Sequence, residues 1–198
     1  MTCPFRAIAV VAAVWLGLAC VATAQPVPPA PPPPMAAPSP APNNDPFGEP
    51  ITLTAKPIVF IKGNGTWDNA FETLLDAFKS LYAFLDKQGV KPAGPAMTIY
   101  TAANDLGFSF QAAVPITAED LKDPPKGDIA VGQSPTGKAL KFTHRGSYDA
   151  MDNTYESITN YLDERQLEAQ DLFVEEYRTD LLKTPERLLV IDIYVPLK

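Results

Sequence analysis

Two periods of hydrophobicity organise the chain beyond residue 50. Ile51 and Leu53 alternate with threonines, as on a strand with one wet face, and residues 57–61 are the unbroken apolar run of a buried strand. Gly63, Asn64 and Gly65 then read as a turn. Thr66 is placed to cap a helix with Asp68 in its first turn. Phe71, Leu74, Leu75, Phe78, Leu81, Tyr82 and Leu85 recur at helical spacing until Gly89 stops the pattern. A loop over 91–95 leads into strands at 97–101 and 108–114, joined by a turn over 104–107. Residues 116–127 are polar and proline-bearing and read as a linker. Strands follow at 128–131 and 138–143, with 134–137 as the turn, and Ser147 is placed to cap a second helix. Met151, Thr154, Tyr155, Ile158, Tyr161 and Leu162 form that helix's apolar face, and strands at 172–177 and 187–196 complete the chain. On the first of these two strands, residues two apart share a face, so Glu175 and Tyr177 point one way and Glu176 the other. The pair then faces either solvent or a polar-tipped cavity.

The pattern repeats. Gly65, Trp67 and Asp68 match Gly146, Tyr148 and Asp149; Phe84, Leu85 and Asp86 match Tyr161, Leu162 and Asp163. Tyr100 matches Tyr177, and 114–116 match 195–197, all at an offset of about 80 residues. Each half, about 51–116 and 128–198, is a strand–helix–strand–strand module. The expected fold is therefore α+β: two modules pool their strands into one antiparallel sheet, with two helices on one face and a groove at the pseudo-twofold junction.

Ahead of the domain, Arg6, an apolar stretch over 7–19 and the small residues Ala22 and Ala24 have the order of a secretory signal cut before Gln25; lipidation at Cys20 is the rival reading. Residues 25–50 are proline-dense and read as an extended, disordered tether. Of the two cysteines, Cys3 and Cys20, both lie in the leader, so the mature chain has no thiol, which suits an oxidising periplasm. The formal charge is −7; losing Arg6 leaves 15 basic residues against 23 acidic ones, or −8. That balance excludes a nucleic-acid partner and an anionic membrane surface as expectations and leaves cationic or neutral ligands. No span remains to cross a membrane after cleavage.

Residues 51–198 resemble the GyrI-like, or AraC-type effector-binding, small-molecule domain. The resemblance rests on the two Gly-x-aromatic-Asp helix starts, on GVKPAGP at 89–95, on His144 to Tyr148, on Glu175 and Tyr177, and on Ile193 to Pro196. It implies two modules around a central groove that takes amphipathic, often cationic molecules, with a glutamate on the penultimate strand as ligand contact. By position that glutamate is Glu175. Some relatives carry DNA-binding helices and others act on gyrase; neither role suits an exported chain without such helices. A small hydrolytic branch is implied to use the corresponding glutamate with a tyrosine.

Candidate ligand contacts are accordingly Glu175, Tyr177 and its repeat mate Tyr100, the helix-opening Trp67 and Tyr148, Tyr155 on the inner helical stripe, and Phe108 and Phe110, which share one strand face. A carboxylate walled by rings attracts a cation by charge and by ring faces, the latter worth about 0.5–2 kcal/mol each. His144 is the only histidine and has no partners at metal-ligand spacing, so neither a metal nor a cofactor is expected. No phosphate loop, nucleophile elbow or zinc-protease motif occurs. Three functions remain in view: a periplasmic binder of a small amphipathic or cationic molecule, a hydrolase using Glu175 as general base with Tyr177, and an envelope interaction module whose groove is filled by its own side chains.

Overall fold

The computed structural model describes residues 47–117, 125 and 127–198. The expected leader with Cys3 and Cys20, the tether up to residue 46 and most of the 116–127 linker lie outside the described residues. The elements in chain order are β1 (Glu49–Leu53), β2 (Pro57–Gly65), α1 (Ala70–Gln88), β3 (Met97–Asn104), β4 (Gly107–Pro115), β5 (Ile129–Gln133), β6 (Gly137–Arg145), α2 (Met151–Glu164), β7 (Phe173–Tyr177) and β8 (Val190–Pro196). The strands form one antiparallel sheet in the order β1-β6-β8-β7-β3-β4-β2-β5. The order is balanced: β6, β8 and β7 of the second half meet β3, β4 and β2 of the first half at the central β7–β3 pair.

Both helices lie on the same face. The buried stripe of α1 is Ala70, Leu74, Phe78, Leu81 and Leu85, and it joins one core with Met151 and Ile158 of α2 and with Val59, Val114, Phe142, Ile191 and Ile193 from the sheet. Each fully buried Leu, Ile or Phe contributes about 1.5–3 kcal/mol. Gly89 ends α1 in the left-handed region (φ 73°), and the Val90 N–H returns to the Leu85 carbonyl at 3.0 Å, a closure that glycine makes without strain.

The opposite face is concave, as the connections require. Only residues 54–56 join β1 to β2, yet five strands stand between them. Four residue steps reach about 14 Å, whereas six inter-strand spacings in a flat sheet cover about 29 Å. Residues 134–136 make the same short jump from β5 to β6. The sheet therefore curls until its ends approach each other. There the two links bond reciprocally: Lys56 N–H donates to Ser134 Oγ (3.0 Å) and Ser134 N–H donates to the Lys56 carbonyl (2.9 Å). Residues 134–137, expected as a turn, are thus a crossing link, because β5 pairs with β2 and β6 with β1 and β8.

Four other expectations need correction. Gly63, Asn64 and Gly65 continue β2 instead of turning; Gly63 lies opposite Phe110 and Gly65 opposite Phe108, and a Cβ there would fall 2.5 and 2.7 Å from those rings. The glycines make room for the aromatic side chains. Thr66 and Ser147 start short 3-10 turns ahead of the helices but make no side-chain cap bond; Ser147 Oγ donates to Glu186 Oε1 (2.8 Å). Residues Glu186–Leu188 form a 3-10 turn, so the last strand starts at Val190. Finally, β1 begins at Glu49, inside the stretch read as tether, and Phe47 packs edge-on against Phe142 and Tyr161.

Candidate functional site

The central strands β3 and β7 run beneath the junction of the two helices. Their pairing places Thr98 opposite Glu175 and Tyr100 opposite Phe173. Alternation sends Phe173, Glu175 and Tyr177 to the helix side, as the spacing on this strand requires. Glu175 is 1% exposed. Its Oε1 accepts from Tyr155 (2.8 Å), and its Oε2 accepts from Tyr100 (3.1 Å), Tyr148 (3.2 Å) and Tyr177 (3.2 Å). The Thr98 and Tyr177 hydroxyls are 2.8 Å apart, so a Thr98 proton can satisfy the Tyr177 oxygen while Tyr177 gives its own proton to Glu175.

All four partners are neutral phenols. Burial raises the pKa of Glu175 above the ordinary carboxylate range, and the bonds from Tyr155, Tyr100, Tyr177 and Tyr148 pull the other way. Burial first, and then the charge of Glu175, push the four tyrosines well above the usual phenol value, so they stay protonated as donors. The site is a carboxylate held by dipoles, with no opposite charge among its bonded partners.

In front of this cluster lies a cavity of about 320 Å³. Its inner wall carries Glu175 with Tyr100, Tyr148, Tyr155 and Phe173, and Phe71 stacks on Tyr148 at 5.2 Å. The approaches to the two helices contribute Trp67, Asp68 and Glu72 on one side and Asp149 and Asp152 on the other. Carboxylates in a first helical turn offset the partial positive charge of the helix end, and these also leave the cavity without a basic residue among its described lining. Trp67 is 44% exposed at the mouth, where its indole N–H donates to the Asn104 carbonyl (2.7 Å) and its ring packs on Phe108 at 4.8 Å.

The structure brings Glu175, Tyr100, Tyr148, Tyr155 and Trp67 together on this cavity. Tyr177, Phe108 and Phe110 stand one layer back: Tyr177 behind Glu175, Phe108 between Trp67 and Tyr100, and Phe110 over Gly63. Besides the acidic residues at the mouth, Phe173, Phe71 and Thr98 contribute without being site candidates in the sequence. Phe173 was legible, since it shares a face with Glu175 and Tyr177. Phe71 was visible only as a member of the helical stripe. Thr98 emerges only once the β3–β7 pairing is known. His144 joins strand to helix: its Nδ1 lies 2.8 Å from Thr154 Oγ1 and its Nε2 3.0 Å from the Ser147 carbonyl, and burial lowers its pKa. Among the described residues no group of His, Cys, Asp and Glu is placed to hold a metal ion, and no helix is long and apolar enough to cross a membrane.

A curled antiparallel sheet with two helices on one side, and a ring-walled hollow at their junction, defines a small-molecule-binding α+β domain. The chain belongs to the GyrI-like family: the GyrI-like small molecule binding domain matches residues 49–198. Solved structures share the fold at low identity. EcmrR in its DNA complex superposes with a TM-score of 0.65 at 13% identity, covering 76% of this chain and 57% of that one, so the match spans little more than half of that relative. SAV2435 bound to tetraphenylphosphonium gives 0.54 at 17% identity, covering 76% and 93%. A hydrolase encoded by lin2189 from Listeria innocua gives 0.55 at 14% identity, covering 78% and 94%. Among curated proteins none matches the chain significantly.

Proposed function

We propose that this protein is a periplasmic, non-enzymatic binder of small amphipathic or cationic molecules, and that the ligand sits in the cavity over Glu175. The observation that carries the reading is a buried carboxylate surrounded by four neutral donors and no base. Taking an ion out of water costs several kcal/mol even after relaxation. Four hydroxyls offset part of that cost, and a cation in the cavity offsets more. The ligand meets the rings of Tyr148, Tyr155 and Phe71, with the Glu175 charge directly behind them. Each cation–ring contact adds about 0.5–2 kcal/mol. SAV2435, which shares the fold, is bound to a lipophilic cation of this class. Export rests on the leader-like residues 1–24 and on the absence of cysteine from the remainder of the sequence.

The hydrolytic alternative asks Tyr177 to polarise a substrate. Tyr177 is 3% exposed, its hydroxyl is shared between Thr98 and Glu175, and it does not line the cavity. This geometry favours binding over turnover.

A thermal-shift screen of lipophilic cations, with tetraphenylphosphonium as the first probe, tests the proposal. Wild type is expected to be stabilised in a dose-dependent way, by RT ln(1 + [L]/Kd). Glu175→Gln is expected to respond at least 30-fold less sensitively, since losing one partner of a buried charge contact costs about 2 kcal/mol or more. A panel in which no cation shifts wild type more than Glu175→Gln overturns it.

A further inference from the structure

A second cavity lies on the other side of the same strand. It occupies the concave face, floored by Met97 and Val174, walled by Ile51 and Leu53 of β1, and roofed by the two crossing links at Lys56 and Ser134. Its volume is about 180 Å³, below the roughly 300–1,000 Å³ of a drug-sized site. One corner is charged. Glu176, 7% exposed, accepts from Lys56 Nζ through Oε2 (3.0 Å) and from the Tyr194 hydroxyl through Oε1 (3.3 Å). Burial and the neighbouring Glu176 keep the Tyr194 phenol protonated, so it stays a donor.

The lining thus carries one negative and one positive side chain, both in one corner, and an apolar surface beside them. A simple cation would compete with Lys56 for Glu176, and a simple anion would face Glu176 itself. A molecule that carries both charges on groups attached to one carbon can exchange one ion pair for two, with its ammonium on Glu176 and its carboxylate on Lys56. We propose that this cavity is a second ligand site, for a small zwitterion with an apolar side chain, the chemistry of an aliphatic α-amino acid. The aliphatic group rests on Met97, Val174, Ile51 and Leu53. Lys56 has the freedom to swing, since 43% of its side chain is exposed.

The site is independent of the cation cavity, because β7 presents Glu175 to one face of the sheet and Glu176 to the other. Isothermal titration of the full chain with L-leucine tests it, alongside isoamylamine, which keeps the ammonium and drops the carboxylate, and isocaproate, which keeps the carboxylate alone. Leucine is expected to bind with a 1:1 stoichiometry and at least tenfold more tightly than either analogue. Glu176→Gln and Lys56→Met are each expected to weaken it at least tenfold, and Glu175→Gln to leave it within twofold. The analogue series needs no variant and so stands even if a substitution impairs folding. No leucine binding at millimolar concentration, equal binding of leucine and isoamylamine, or loss in Glu175→Gln with retention in Glu176→Gln would each overturn the proposal.

Discussion

Glu175 and Glu176 are neighbours on one strand, both almost entirely buried, and they meet opposite surroundings. Glu176 has a lysine on one oxygen and a phenol on the other. Glu175 has only phenols, four of them. A second acid on the Glu176 side, Asp192, is likewise matched by Arg178 at 3.0 Å and by Thr143. The concave face balances its charges internally, as a buried charge ordinarily must. The helix face does not, and it is the face with the larger hollow. Hydroxyl dipoles offset part of the cost of the buried carboxylate there, and the proposed cation would offset more.

The largest expected effect breaks the balanced side. Lys56→Met leaves Glu176 without its cation; with the lysine partly exposed, solvent screens some of the pair, and a loss of about 2 kcal/mol in unfolding free energy is expected by denaturant titration. Glu175→Gln should cost nothing at neutral pH, or even stabilise, because it removes a buried charge that no cation matched. Equal destabilisation by the two substitutions would erase the contrast between the faces.

A second prediction concerns the donors. Tyr155→Phe removes the shortest bond to Glu175, at 2.8 Å. It is expected to cost about 1.5 kcal/mol while Glu175 is ionised, the low end for a bond to a charged group, because three other donors remain. The cost should shrink in acid, where the protonated carboxyl needs fewer donors.

The third follows from the direction of the Glu175 shift. Its folded pKa is raised above the unfolded value by burial. The folded protein therefore holds a proton that the unfolded chain releases, and this contribution is complete below the unfolded pKa and lost as pH rises through the folded one. Comparing wild type with Glu175→Gln from about pH 4 to pH 8, the wild type is expected to lose ground to the variant as pH rises. A difference independent of pH contradicts the assignment. Cation binding should follow the opposite slope, strengthening as Glu175 ionises.

The smallest effect is expected at Trp67. Its ring is 44% exposed, so Trp67→Ala should cost only about 1 kcal/mol, the scale of the one ring pair with Phe108 that it loses. Its loss should weaken a lipophilic cation only about two- to fivefold, the scale of one exposed ring contact.

Much of this arrangement could be read from periodicity. Alternation along 173–177 separated Glu175 from Glu176 without any coordinates, and the helical stripe from Phe71 to Leu85 fixed which side of α1 is buried. What periodicity cannot carry is pairing between distant segments. Gly63 and Gly65 look like turn residues until Phe110 and Phe108 are placed across from them. Residues 134–137 look like a hairpin turn until β5 is seen beside β2. Thr98 looks like any strand threonine until β3 lies against β7. The concave cavity was unreadable for the same reason: Lys56 and Glu176 are 120 positions apart and meet only because two short links force the sheet to curl.

The most direct test is isothermal titration of tetraphenylphosphonium into three proteins at neutral pH: wild type, Glu175→Gln and Glu176→Gln. Expected are 1:1 binding to wild type, affinity within about twofold for Glu176→Gln, and a loss of 30-fold or more, about 2 kcal/mol, for Glu175→Gln. Equal affinity in wild type and Glu175→Gln, or a loss confined to Glu176→Gln, would contradict the proposed site.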